Sequence, residues 1–146
     1  MKIYLGYDHA GKGLESVVKE VATELAIELE DLGSQGDLTD DYPDFARAVA
    51  EKVALDPLSV GILICGTGAG MAIAANKIHG IRAAAAYNAE IARLMRVDNN
   101  ANILTLGGRI TDAETAKTII KIFLSTPFGG GRHERRVNKI SALEQV

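Results

Sequence analysis

The 146-residue sequence has one cysteine, three prolines, no tryptophan and only 5% aromatic residues. A single cysteine excludes an internal disulfide, and no Cys/His spacing resembles a zinc site, so a reducing compartment is expected. There is no basic excess: 16 Lys and Arg stand against 19 Asp and Glu, a formal charge of −3. That balance argues against a general nucleic-acid binder. No apolar run reaches membrane-spanning length, and the charges in MKIYLGYDHAGKG come too early for a secretion signal. A cytoplasmic protein without a membrane partner is expected. Internal repeats and low-complexity segments are also missing. What is present is ordinary globular chemistry, 47% hydrophobic and 24% charged residues, consistent with one domain over residues 1–146. The 15 glycines beside so few prolines suggest tight turns and close backbone approaches.

Short apolar runs alternate with helical patterns. Lys2 to Gly6 reads as a buried strand, followed by a helix from about Lys12 to Leu29, with a weaker strand candidate at Ile27 to Leu32. GSQGDLTDDY, Gly33 to Tyr42, has turn chemistry, and Pro43 suits the first turn of a helix running to about Leu55. Val60 to Cys65 (VGILIC) is the strongest strand, followed by a glycine turn, Gly66 to Gly70, and a helix from Met71 to Lys77. Ile81 to Ala86 and Asn102 to Leu106 read as strands, with helices at Ala89 to Arg96, from Thr111-Asp112 to about Leu124, and from Arg132 to Glu144. Five strand–helix alternations predict an α/β fold with a parallel sheet covered on both faces. Ligands of such folds bind beyond the carboxyl ends of the strands, here the residues after Gly6, Cys65 and Leu106.

Two glycine loops fall at those ends. Gly6 to Lys12 fits G-x-x-x-x-G-K, but Gly13 follows where a nucleotide-binding loop needs Ser or Thr. VGILIC also ends in Cys65 where a Walker B strand would end in Asp. The second loop, Cys65-Gly66-Thr67-Gly68-Ala69-Gly70, fails the dinucleotide spacing G-x-G-x-x-G, and Met71 occupies the place of a cysteine phosphatase's arginine. Its geometry still suits chemistry. Amides at a glycine turn opening a helix attract anions and favour a thiolate. A thiol, the Thr67 hydroxyl and such amides suit proton abstraction beside a carbonyl with a stabilised enediolate. The alternative reading makes Cys65 a small core residue and Thr67 a helix cap. In RHERR, Arg132 and Arg136 share one helix face suited to a phosphate or carboxylate.

DHAG, DYPDFA, GILICGTGAGMAIAANK, GIRAA, NNANIL, GGR and GGGRHERRV, in that order, resemble the ribose-5-phosphate isomerase B family. That family also takes in galactose-6-phosphate and allose-6-phosphate isomerases. The resemblance runs from Met1 to about Leu143. It implies a Rossmann-like three-layer α/β/α sandwich with a five-stranded parallel sheet. It also implies aldose–ketose isomerisation without metal or cofactor, a step of the pentose phosphate pathway through a cis-enediol. A homodimer or a dimer of dimers is implied, with the active site between subunits. By the resemblance Cys65 is the base, Thr67 assists at the oxygens, and the backbone of Gly66, Gly68 and Gly70 holds the enediolate. Asp8 and Tyr42 contact the sugar, and Asn99 supplies an amide. His9, Arg132 and Arg136 bind the phosphate, with Arg109 arriving across the interface.

One position departs from the family pattern. The residue before Asn99 is Asp98, where the family's ring-opening histidine stands. A carboxylate is a weaker base than imidazole at neutral pH. Three expectations follow: Asp98 opens the sugar ring, solvent opens it, or the substrate is another sugar phosphate. The contrasting reading is a non-catalytic phosphosugar-binding subunit. The last helix, residues 131–146, is expected to dock on a partner through Val137, Ile140 and Leu143.

Overall fold

The computed structural model describes residues 1–145. β1 (Lys2–Tyr7) leads through a 3₁₀ turn into α1 (Glu15–Glu24), followed by β2 (Glu28–Asp31), α2 (Tyr42–Leu55) and β3 (Ser59–Cys65). Next come α3 (Ala69–Ala75), β4 (Ala83–Ala85), α4 (Ala89–Val97), β5 (Ile103–Gly107), α5 (Ala113–Ser125) and α6 (Arg132–Ala142). The strands form one sheet in the order β2-β1-β3-β5-β4, every pair parallel. The expected α/β/α architecture is therefore present.

Alternation along each strand sorts the two faces. Ile3, Leu5, Ile62, Ile64, Leu104 and Leu106 face one way, into a core with the apolar sides of α1, α4 and α5. Tyr4, Leu63, Cys65 and Ile103 face the other way, against α2 and α3. On that second face Gly6 and Gly61 let α2 come close, since a Cβ on either would lie 2.8 Å from a Val49 methyl. Asn88 and Asp112 cap α4 and α5, their side chains accepting the Ile91 and Thr115 amides at 2.9 and 2.8 Å.

Two helix boundaries and the packing of the last helix differ from the sequence expectation. The first helix ends at Glu24, well before Leu29, because Ala26 takes a left-handed conformation with φ of 54°. The Ile27 amide bonds back to the Ala22 carbonyl at 2.9 Å, turning the chain into β2. α3 begins and ends two residues before the expected Met71 and Lys77. In α6, Val137 is buried on its own chain at 7% exposure, leaving Ile140 and Leu143 exposed. The helix is held down rather than projecting: the Gly129 amide bonds to the Val97 carbonyl at 3.0 Å, and Glu144 accepts the Gly80 amide at 2.8 Å.

Candidate active site

The sheet order reverses between β1 and β3: β2 lies to one side of β1, and β3, β5 and β4 to the other. A crevice opens beyond the carboxyl ends at such a switch point. Here it is a cleft of about 460 Å³ lined by Asp8, His9, Asp40, Asp41, Tyr42, Cys65, Gly66, Thr67, Gly70 and Arg109. All three loops named from the strand ends contribute residues to this cleft.

The loop after β1 is fixed by Asp8. Its buried carboxylate accepts the Ala10 and Gly11 amides, both at 3.0 Å, and its own amide bonds to the Ile64 carbonyl at 3.2 Å. Asp8 thus spends one oxygen on the loop that carries His9. Gly11 is obligatory for the close approach to β3, because a Cβ there would sit 2.2 Å from the Ile64 carbonyl oxygen. Gly11→Ala should cost about 1–3 kcal/mol by forcing that loop off the strand. Thermal unfolding checks this against Gly13→Ala, where a Cβ meets nothing within 4 Å and the melting temperature should hold.

The glycine loop turns on itself. Cys65, 4% exposed, ends β3 on the α2/α3 face, and its Sγ accepts the Gly68 amide at 3.2 Å. Cys65 therefore is both the small core residue of the plainer reading and a cleft thiol. Gly68 makes this possible with φ of +85°, and its carbonyl accepts the buried Thr105 hydroxyl at 2.8 Å. Thr67 is exposed on the outer curve. Its hydroxyl accepts the Ala69 amide at 3.3 Å, and α3's N-cap position falls to Gly68, which makes no side-chain capping bond. The Gly68 amide expected to face an enediolate, and the Ala69 amide beside it, are thus directed at the loop's own Sγ and Oγ. Gly70 leaves room for the Tyr42 ring, whose edge would lie 2.7 Å from a Cβ at that position.

Arg109 lines the same cleft as the Cys65 of its own chain, packed over Gly66. The resemblance implied its arrival from a partner. In this chain, the Gly108 and Arg109 amides bond to the Cys65 and Gly66 carbonyls at 2.7 and 3.0 Å, tying the end of β5 to the glycine loop.

Asp98, Asn99, Arg132 and Arg136 are not in this cleft. α4 runs back from the carboxyl end of β4, so Asp98 and Asn99 lie near the amino ends of the strands, on the far side of the sheet from Cys65. Asn99 borders a different cavity, with Asn76, Arg82, Ile140 and Glu144. Arg132 and Arg136 are exposed on α6, beside the end of α4. There His133 Nε2 comes within 3.5 Å of the Asp98 carboxylate. The expected site residues therefore form two groups at opposite ends of the sheet.

Sequence reasoning missed Ser34, Asp40 and Thr105. Thr105 carried a signal, a hydroxyl inside the apolar strand ILTLG, and its bond to Gly68 explains it. Asp40 lay in an acidic turn with nothing to distinguish it from Asp37 or Asp41. Among the described residues no group of three or more His, Cys, Asp and Glu could hold a metal ion, and no helix is long and apolar enough to cross a membrane.

The model of the ribose/galactose isomerase family matches residues 3–140. Ribose-5-phosphate isomerase B of Escherichia coli is 42% identical over 144 residues, covering 99% of this chain and 97% of the relative. A ribose 5-phosphate isomerase structure from Thermotoga maritima superposes with a TM-score of 0.92 at 49% identity, covering 97% of both chains. Ribose-5-phosphate isomerase B of Mycoplasma genitalium with bound ribulose-5-phosphate gives 0.95 at 40% identity, over 99% of this chain and 96% of that one. With the family's motifs in register and its fold complete, the chain belongs to the ribose/galactose isomerase family.

Proposed function

We propose that this protein interconverts ribose 5-phosphate and ribulose 5-phosphate in the cytoplasm, as a homodimer whose sites are each built from both subunits. The observation that carries the reading is the Cys65 thiol, holding the Gly68 amide at 3.2 Å at the base of a cleft that also presents His9, Tyr42 and Arg109. The relatives named as ribose-5-phosphate isomerase B, one of them holding ribulose-5-phosphate, support the choice of substrate.

The sugar reacts as the open-chain aldehyde. The Cys65 thiolate takes the C2 proton, and the electron pair moves through the C1–C2 bond onto the carbonyl oxygen as a cis-enediolate. Thr67 shuttles a proton between the O1 and O2 oxygens. The thiol then returns its proton to C1 as the O2 carbonyl forms, so no atom is gained or lost. His9 and Arg109 hold the phosphate from the Cys65 side. Arg132, Arg136, Asp98 and Asn99 of a second copy close the opposite side, which accounts for their distance from Cys65 within one chain. Asp98, backed by His133, takes the anomeric proton when the ring opens. The exposed Ile140 and Leu143 supply apolar contact surface for that second copy.

The test is ketose formation from ribose 5-phosphate by the purified protein without added metal, with galactose 6-phosphate and allose 6-phosphate in parallel. The expected turnover is on the order of 1–10³ s⁻¹ for the pentose. Ketose from a hexose phosphate alone would reassign the substrate, and no ketose from any of the three would favour a binding subunit.

A further inference from the structure

His9 does not stand free at the cleft. Asp40, thirty-one residues along the chain, accepts the His9 ring Nδ1 at 2.8 Å and the His9 backbone amide at 3.1 Å through the same oxygen, Oδ1. Its other oxygen accepts the Ser34 hydroxyl at 2.5 Å, and the Ser34 Oγ in turn accepts the Gly36 amide at 3.0 Å. Ser34 is buried at 3% exposure, and its amide is tied to the end of β1 through the Tyr7 carbonyl at 2.8 Å. The Asp40 side chain is only 11% exposed. A hydroxyl, a carboxylate and an imidazole are thus linked in a chain running from the core to the cleft.

This arrangement fixes where the proton sits. Burial disfavours charge on Asp40, but the hydrogen bonds from Ser34, the His9 ring and the His9 amide outweigh it and hold its carboxyl below the ordinary carboxylate range. An ionised carboxylate only accepts, so Nδ1 of His9 must carry the hydrogen. The free nitrogen, Nε2, then has a lone pair when the ring is neutral and an N–H only when it is charged. A phosphate dianion needs a donor, and a neutral ring held this way offers none.

We propose that Asp40 is a positioning residue that locks His9 in the Nδ1–H form, so that His9 engages a phosphoryl dianion only as an imidazolium paired with Asp40. The phosphoryl part rests on the isomerase reading, whereas the tautomer does not. Charged groups near His9 besides Asp40 are Asp8, Asp41 and Arg109 around the cleft and Asp37 in the same turn as Asp40. Lys12 reaches that turn at Gly36. Only Asp40 bonds the ring, so Asp40 sets its orientation.

The chain has three histidines, so a His9→Gln variant assigns the His9 ring signals in ¹H–¹⁵N correlation spectra of the labelled protein. With the ring neutral, the wild type should show a protonated Nδ1 and an unprotonated Nε2. In Asp40→Asn the amide can donate to Nδ1, and the pattern should reverse. Inorganic phosphate binding and the KM for the sugar phosphate should weaken about tenfold in that variant, with kcat within about twofold. A wild-type ring protonated on Nε2 would overturn the proposal, and it needs no variant to fold. Undiminished phosphate affinity in a folded Asp40→Asn protein would also overturn it. Loss of isomerase activity from the wild type, by contrast, would strike the functional reading and leave the tautomer assignment standing.

Discussion

Cys65→Ala reduces isomerisation of ribose 5-phosphate by on the order of 10²–10⁴-fold while the protein stays folded and still binds the sugar phosphate. The magnitude is that of removing a positioned general base from a proton transfer at carbon. The fold should survive because the side chain is small and ends its strand at the cleft rather than in mid-core, packed among Leu63, Met71 and Ala75. The direct structural loss is the acceptor for the Gly68 amide, whose loop is also held by the Thr105 hydroxyl on the Gly68 carbonyl. Cys65→Ser restores an oxygen acceptor for that amide, but a hydroxyl is a far poorer base at neutral pH, so activity should stay lost. Ketose formation and calorimetric binding of ribose 5-phosphate, measured on both variants, separate chemistry from affinity. An alanine variant turning over near the wild-type rate would remove the thiol from the mechanism.

Two inactive variants regain activity when they are produced together. Arg132→Ala/Arg136→Ala removes two cations from α6, and charge-assisted contacts to a phosphate of about 1.5–3 kcal/mol each predict a loss in kcat/KM of roughly 10² or more. Cys65→Ala removes the base at the other end of the sheet. If each site takes its thiol from one subunit and these arginines from the other, a mixed dimer holds one site with both changes and one site with neither. Random pairing then returns about a quarter of wild-type activity in the mixture, and the isolated mixed dimer about half. The prediction follows from the separation of the two groups across the sheet, since α4 and α5 both carry the chain back from the carboxyl ends of the strands before Asp98 and Arg132 are reached. Co-expressed variants with different affinity tags, purified through both, provide the mixed species. A mixture as inactive as its components would mean that the arginines serve the Cys65 of their own chain or none at all.

Much of this protein is written in local patterns. VGILIC reads as a buried strand because its six residues are apolar, four of them branched, with no polar side to turn to water. The short apolar runs and helical stretches placed all five strands, and the rule that ligands gather at carboxyl ends pointed to the loops after Gly6, Cys65 and Leu106, where the resemblance then named Asp8, His9, Thr67 and Arg109. Asp98 was visible as a departure from the family pattern because position alone identified it. Helix ends were less legible: the stop after Glu24 comes from the left-handed backbone of Ala26, an alanine, which gives no such signal in sequence. Propensity is a weak guide at a boundary that tertiary contacts decide.

By itself, then, the sequence determined the strands, the order of layers and the set of side chains able to move a proton beside a phosphate, because backbone periodicity and residue chemistry are local properties. The tertiary structure decided which of those side chains meet. The parallel pairing of β5 beside β3 put Arg109 next to the Cys65 of its own chain, and the returning helices carried Asp98, Arg132 and Arg136 away from it. It also singled out Asp40 from three similar aspartates by closing a turn onto His9, a contact between residues thirty-one positions apart that no local pattern encodes.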